Sequence, residues 1–391
     1  MTNDWQTTSI GEVAKPIERA EAPMAGTTYR QIGVRLWGQG AYERESIDGS
    51  QTKYATLSRV ESGDIVVNKI WARNGSVAVV SDKLSGCFGS GEFPTFAPDR
   101  KKLDPRWFHW ITKTKWFWQA CDVKSQGTSG KNRIRPEKFL EIEIPLPPLD
   151  EQRRILGHIE ALAAYISKAQ SLRDEALVDA GNLLIVMAHR LDKSRDELLK
   201  EGWEEIRLGE IIHQVKDRCR VEPNTIYSNL GIYSFARGLF HKQPIDGNLT
   251  SAKELYRVHK GQFIYSRLFA FEGACGIVTE EYDGCFVSGE YPTFDCDPNR
   301  VNPEFLFAYF KSLDVWRTVS AGSKGLGDRR QRVQPEKFLE HKLLLPPLEW
   351  QSKITSMMKK IDDLQSIQSA TGEELSALLP SVLDRAFKGE L

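Results

Sequence analysis

Two periodicities alternate along the chain. Gly63-Asp-Ile-Val-Val-Asn-Lys-Ile70 and Gly261-Gln-Phe-Ile-Tyr-Ser-Arg-Leu268 mix apolar and polar positions as strands do. Asp104-Pro105 and Asn302-Pro303 each set an N-cap residue before a proline at the first helical position, so each opens a helix. A final strand ends at Leu146-Pro-Pro-Leu149 and again at Leu345-Pro-Pro-Leu348, where a double proline continues neither strand nor helix. Beyond each double proline the period turns helical. Ile155, Ile159, Leu162, Ile166, Ala169, Ala176, Ala180, Leu183 and Met187 follow 4-3-4-3 spacing, broken once by Arg173, a coiled-coil seam of about five heptads. Ile354, Met358, Ile361, Leu375, Leu379 and Val382 keep that spacing, weakened by Gln365, Gln368 and Gly372. Pro380 is expected to kink this second helix or end it locally.

The two halves are copies. Trp5-Gln-Thr-Thr-Ser-Ile-Gly-Glu returns as Trp203-Glu-Glu-Ile-Arg-Leu-Gly-Glu, and Ser90-Gly-Glu-Phe-Pro-Thr-Phe96 as Ser288-Gly-Glu-Tyr-Pro-Thr-Phe294, both at an offset of 198. Arg135-Pro-Glu-Lys-Phe-Leu-Glu141 returns as Gln334-Pro-Glu-Lys-Phe-Leu-Glu340 and Gln152 as Gln351, at an offset of 199. A period this long is a duplicated domain with its exit helix. The expected fold is α+β: two similar mixed domains, residues 1–148 and 201–347, joined with pseudo-twofold symmetry by two long antiparallel coiled-coil helices, residues 149–200 and 348–391. Leu172, Leu177, Met357 and Leu364 flank the seams and remain for another chain. A helix of about 45 residues is roughly 65 Å long, so such a pair would hold two heads a fixed distance apart, as reading a split DNA site requires.

Composition narrows the picture little. Net charge is +0, which argues against a histone-like coat but allows basic residues gathered on one face. Cys87, Cys121, Cys219, Cys275, Cys285 and Cys296 form no C-x-x-C pair and read as reduced, half-buried small hydrophobes. The longest apolar runs, such as residues 183–188, are too short to cross a bilayer, and the N-terminus has no signal-peptide layout, so a cytoplasmic protein is expected.

The chemistry that stands out is basic and aromatic. Lys124, Lys131, Arg133 and Arg135 crowd a glycine-containing stretch before the last strand of the first copy; Lys324, Arg329, Arg330 and Arg332 crowd its counterpart, opposed only by Asp328. Glycine lets backbone approach phosphates, lysine and arginine neutralise them, and arginine also reads guanine edges. A second set interleaves aromatics with basic residues: Arg35, Trp37, Lys69, Trp71 and Arg73, with Tyr233, Arg237, Arg267 and Phe269 in the other copy. Glu92 and Glu290 in the twin Ser-Gly-Glu segments are read as scaffold, capping a turn or accepting from cytosine N4. Gly130-Lys131 lacks the P-loop spacing. Asn302-Pro-Glu-Phe305 is a helix start rather than a methyltransferase motif, and Pro98-Asp99 with Asp122-Val-Lys124 is nuclease-like in one copy only.

With the repeat, Ile144-Pro-Leu-Pro-Pro-Leu-Asp-Glu-Gln-Arg-Arg-Ile155 and the ending Leu378-Leu-Pro-Ser-Val-Leu-Asp-Arg-Ala-Phe-Lys-Gly-Glu-Leu391, nearly the whole chain resembles the specificity subunit of type I restriction-modification enzymes. The resemblance implies two target recognition domains binding double-stranded DNA at a bipartite site, and no catalysis or cofactor on this chain. It implies two methyltransferase subunits using S-adenosylmethionine and restriction/translocase subunits using ATP and Mg²⁺ as partners. Glu349-Trp350-Gln351 departs from Asp150-Glu151-Gln152, so one helix start is expected to meet its partner differently, and the offsets lead one to expect a second helix four residues shorter, which bears on the spacing of the heads. A standalone nuclease or methyltransferase, and a scaffold that binds no DNA, are the competing readings.

Overall fold

The computed structural model describes residues 5–126, 132–321 and 332–391. The chain divides into two compact units, Met1–Ser171 with Ala370–Leu391, and Leu172–Ser369. Each is built around a four-stranded antiparallel sheet. In the first unit the order is Val77–Val79, Ile65–Val67, Thr95–Pro98, Ala14–Ile17. In the second it is Cys275–Ile277, Phe263–Tyr265, Thr293–Cys296, Ile212–Val215, the same order at the repeat offset.

The central strand shows why the sheet forms. Ile65, Val66 and Val67 are all buried, because side chains alternate between two covered faces. Ile65 and Val67 join a core with Trp107, Phe108, Phe117 and Phe139, from helices Pro105–Ile111, Lys115–Val123 and Pro136–Leu140. Val66 points the other way, onto Ile32, Val34 and Val60. In the second unit Phe263 and Tyr265 face the helices while Ile264 faces Leu230 and Val258. Three layers result: helices, sheet, and a layer of small hairpins and sheets. The strands are shorter than the expected 63–70 and 261–268. Gly63 at φ 88° and Gly261 at φ 86° turn the chain in, and Asn68 Oδ1 turns it out by accepting from the Ile70 amide at 3.1 Å.

The ends of each recognition fold meet. Thr7–Ser9 pairs with Glu143–Pro145, and Glu204–Arg207 with Lys342–Leu345. A long helix follows each, Leu149–His189 and Leu348–Phe387. In the first unit Ile155, Leu156 and Ile159, early in one helix, pack with Leu379, Leu383 and Phe387, late in the other. In the second unit Leu184, Met187 and Ala188 pack with Ile354, Met358 and Ile361. Each unit therefore holds an antiparallel helix pair. Three seam assignments are corrected, and one of them, Ala176, is exposed. Leu162 and Leu183 are 38% and 46% exposed, and the packed positions are Ala163 and Leu184. The packed side at these places is set by the core each helix lies against, one residue on from the position the 4-3 spacing selects. Pro380 does not end its helix, which continues to Phe387. The proline forfeits one hydrogen bond, to the Ser376 carbonyl, while Leu379 and Leu383 on either side are anchored in the core.

One buried side chain joins each helix to its recognition fold. Gln152 Oε1 accepts from the Asp104 amide at 2.9 Å, and its Nε2 donates to the Lys102 and Pro147 carbonyls, each at 2.8 Å. Gln351 repeats the pattern: its Oε1 accepts from Asn302 at 2.8 Å, and its Nε2 donates to Arg300 and Pro346 at 2.9 Å. Both glutamines are wholly buried. In the second unit Trp350 Nε1 also donates to the Met187 carbonyl at 3.1 Å, with the Arg190 guanidinium 4.7 Å from the indole ring. His189 stacks on Tyr309 with ring centres 4.5 Å apart, and the Tyr309 hydroxyl lies 3.0 Å from His341 Nε2.

Gln152→Ala leaves three backbone groups without their partner, one of them in a fully buried bond. It is expected to lower stability by about 3 kcal/mol, read from the urea midpoint of the full chain. The histidines make stability pH-dependent. Burial, with Lys113 nearby, brings His109 down to about 4; burial, with His189 nearby, brings His341 to about 4; burial also lowers His189. An unfolded imidazole takes up its proton near 6.5 while these wait until lower pH, so the unfolded state binds more protons in between. Stability is expected to fall as pH drops from about 6.5 towards about 4, and a flat urea midpoint across that window refutes the assignment.

Candidate nucleic-acid interface

The predicted aromatic and basic residues gather at one end of the hairpin layer in each unit. In the first, the hairpin Ile32–Val34 with Ala41–Glu43 carries Arg35 and Trp37 in its loop, and the short helix Ala72–Asn74 carries Trp71 and Arg73. The Trp37 amide donates to the Asn74 carbonyl at 2.6 Å and the Gly38 amide to Gly75 at 3.0 Å, tying loop to turn. Gly75, at φ 75°, is required here, because a Cβ would lie 2.9 Å from the Gly38 nitrogen. Arg35 sits 4.5 Å over the Tyr42 ring, and Trp37 packs 5.5 Å from Trp118. Trp37 and Arg73 line one recess with Lys115, Trp118 and Asp122. Trp71 opens on another, with Tyr54, Lys53, Arg44 and Glu92.

The second unit keeps the frame and changes what it displays. The hairpin Leu230–Ile232 with Leu239–His241 is tied to the turn Ala270–Glu272 by Phe235 N to Glu272 O (2.7 Å) and Ala236 N to Gly273 O (2.8 Å). Tyr233 stacks on Phe240 at 4.2 Å, and Arg237 lies 4.9 Å over Tyr233. Phe269 is the exposed counterpart of Trp71. Sequence reasoning missed Phe235, the structural equivalent of Trp37. The repeat offset of 198 marks it, and it lies midway between Tyr233 and Arg237, two residues from each.

The basic stretches join this end through backbone. The Ile134 amide donates to the Lys69 carbonyl at 2.9 Å, and Val333 to Arg267 at 3.1 Å. Lys69 and Arg267 in turn donate their own amides to the Glu92 and Glu290 carbonyls, at 3.1 and 2.9 Å. Arg133 Nη1 pairs with Glu92 Oε1 at 3.0 Å, and Arg332 Nε lies 3.3 Å from Glu290 Oε2. Each Ser-Gly-Glu segment therefore holds the arginine of its own basic stretch, and both arginines keep about half their surface in solvent (52% and 53%). Arg267 also donates Nη2 to Gln334 Oε1 at 2.6 Å. Lys124 is committed to Glu141 at 2.9 Å; hydrogen bonds from Lys138 and Lys124 hold that carboxylate below its usual range. Arg135, at the N-cap of Pro136–Leu140, is exposed. Lys131, Lys324, Arg329 and Arg330 lie outside the described residues.

Burial raises the thiols of Cys121 and Cys275 above any useful range and carries that of Cys296 up to about 12, the opposite of an activated nucleophile. Among the described residues no cluster of His, Cys, Asp and Glu could hold a metal ion, and no helix is long and apolar enough to cross a membrane.

The family model for the type I restriction modification DNA specificity domain matches residues 2–173 and again residues 200–377, once per copy. A Haemophilus influenzae protein named among the type I restriction enzyme specificity subunits is 25% identical over 92% of this chain and 88% of its own length. Two solved chains share the fold. One, from work on complex assembly and conformational transition of the type I R-M system, is covered in full with a TM-score of 0.72 at 19% identity over 100% of this chain. The other, the HsdS subunit from Thermoanaerobacter tengcongensis, gives 0.58 at 20% identity over 100% of this chain and 98% of that one.

Proposed function

The chain belongs to the type I restriction-modification DNA specificity family, and on that premise we propose that its two recognition domains each bind one half of a bipartite, asymmetric duplex site. It works in the cytoplasm and catalyses nothing itself. It docks two methyltransferase subunits, which methylate adenine with S-adenosylmethionine, and restriction subunits, which use ATP and Mg²⁺.

One observation carries this reading: the frame recurs while the display differs. The loop-to-turn hydrogen bonds, the carboxylate-held arginine and the glutamine clamp recur in both units. On that frame Arg35 becomes Tyr233, Trp37 becomes Phe235, Lys69 becomes Arg267, Trp71 becomes Phe269 and Arg73 becomes Phe271. A shared scaffold with exchanged side chains is what reading two different sequences demands, since base edges differ and phosphates do not. Docking is supported by apolar side chains that the helices leave exposed: Leu162, Tyr165 and Leu378 in the first unit, Leu172 and Val178 in the second.

Exchanging residues 1–145 for those of a related chain is expected to change one half-site and leave the other, as adenine-methylation mapping in cells would show; simultaneous change of both sinks the two-reader scheme. Methyl transfer or cleavage by the purified chain with DNA, Mg²⁺ and S-adenosylmethionine would favour a standalone enzyme instead. Arg332→Ala is expected to weaken binding by about 1–3 kcal/mol and relax one position of the second half-site if the guanidinium reads guanine. If it touches phosphate only, binding weakens evenly across sequences and the salt slope drops by about 1.

A further inference from the structure

Two large aromatic residues stand where the backbone favours glycine. Trp37 and Phe235, at equivalent loop tips, have φ of 57° and 62°, in the left-handed region that bulky side chains avoid. Hydrogen bonds from their amides to Asn74 and Glu272 hold them there. The strain brings neither ring into a core: Trp37 is 51% exposed and Phe235 61%. Strain kept at the same place in two copies that otherwise diverge points to a contact made outside the protein. A second exposed aromatic opens the turn to which each loop is tied, Trp71 and Phe269, 45% and 44% exposed. Around Trp37 the recess holds Arg73 and Lys115 against the single acid Asp122, and Arg237 stands two residues from Phe235.

We infer that Trp37 and Phe235 are wedges that enter an unstacked base step, one in each half-site, so that each recognition domain deforms the DNA it reads. This rests on the DNA-reading function proposed above. A flat π face restores the stacking that a parted step loses, and neighbouring cations hold the flanking phosphates. A backbone pinned at two successive amides keeps the ring from folding away. Pyrimidine–purine steps part most readily, so the wedge adds preference for such a step through deformability rather than hydrogen bonding.

The test uses the full chain and a duplex that it selects from a random pool, scanned with 2-aminopurine through each half-site. Wild type is expected to raise fluorescence at one step per half-site. Phe235→Gly removes the ring while suiting the positive φ, so thermal stability is expected to hold or rise. That variant should abolish the signal in its own half-site alone and weaken binding about tenfold or more, with the salt slope unchanged because no phosphate contact is lost. Phe235→Trp should restore both. Trp37→Ala and Trp37→Phe are expected to do the same in the other half-site. Unchanged fluorescence and affinity in Phe235→Gly and Trp37→Ala, or a loss that follows the salt slope, overturns the wedge and leaves the reading function standing. A pool that enriches no sequence with wild type overturns the reading function itself.

Discussion

Each recognition fold is held to a long helix by one glutamine side chain, and much else in the unit depends on that joint. Gln152 and Gln351 sit in the first turn of their helices and reach back to the turn that opens the domain's first substantial helix. Both carboxamides, wholly buried, use donor and acceptor together on three backbone groups. A buried amide satisfied in full is stiff, because any rotation leaves a polar group unpaired. The angle at which the helix leaves the domain is thereby set by hydrogen-bond geometry rather than by apolar packing, which tolerates sliding.

The joint explains why the Pro-Pro-Leu-x-x-Gln run recurs. The prolines stop the last strand and supply a carbonyl that accepts from the glutamine. The two joints are not identical beyond that core. Trp350, where the first copy has Glu151, ties the second helix to Met187 and Arg190 near the end of the first, and His189, Tyr309 and His341 add a buried polar chain. The departure at Glu349-Trp350-Gln351 thus has a structural cause. Both helices start against the end of the other, but the indole at 350 reaches a backbone carbonyl there, whereas Glu151 pairs with Arg154 at the surface.

The interface follows the same logic of a fixed frame and a free display. Loop and turn are bound through backbone amides, so the frame does not depend on which side chains stand there, and these differ between copies. Arg133 and Arg332 are each held by a carboxylate, Glu92 or Glu290, from the twin Ser-Gly-Glu segments. An arginine so held is already oriented and loses less conformational freedom when it meets a base or phosphate.

Local pattern settled much of this protein in advance. The offset of 198 residues, the double prolines that end each recognition fold and the two long helices that follow them are properties of neighbouring residues, and they were legible in the chain. Proximity between distant residues was not legible. That Glu92 meets Arg133, that Gln152 meets Asp104, or that Phe235 stands where Trp37 does, depends on how strands pair and loops are tied. The seam at Leu162 and Leu183 shows the same limit: a helix's period comes from its own backbone, but which side faces inward is decided by what it packs against. Hydrophobic periodicity is set residue by residue, whereas burial and partner choice are set by the whole fold.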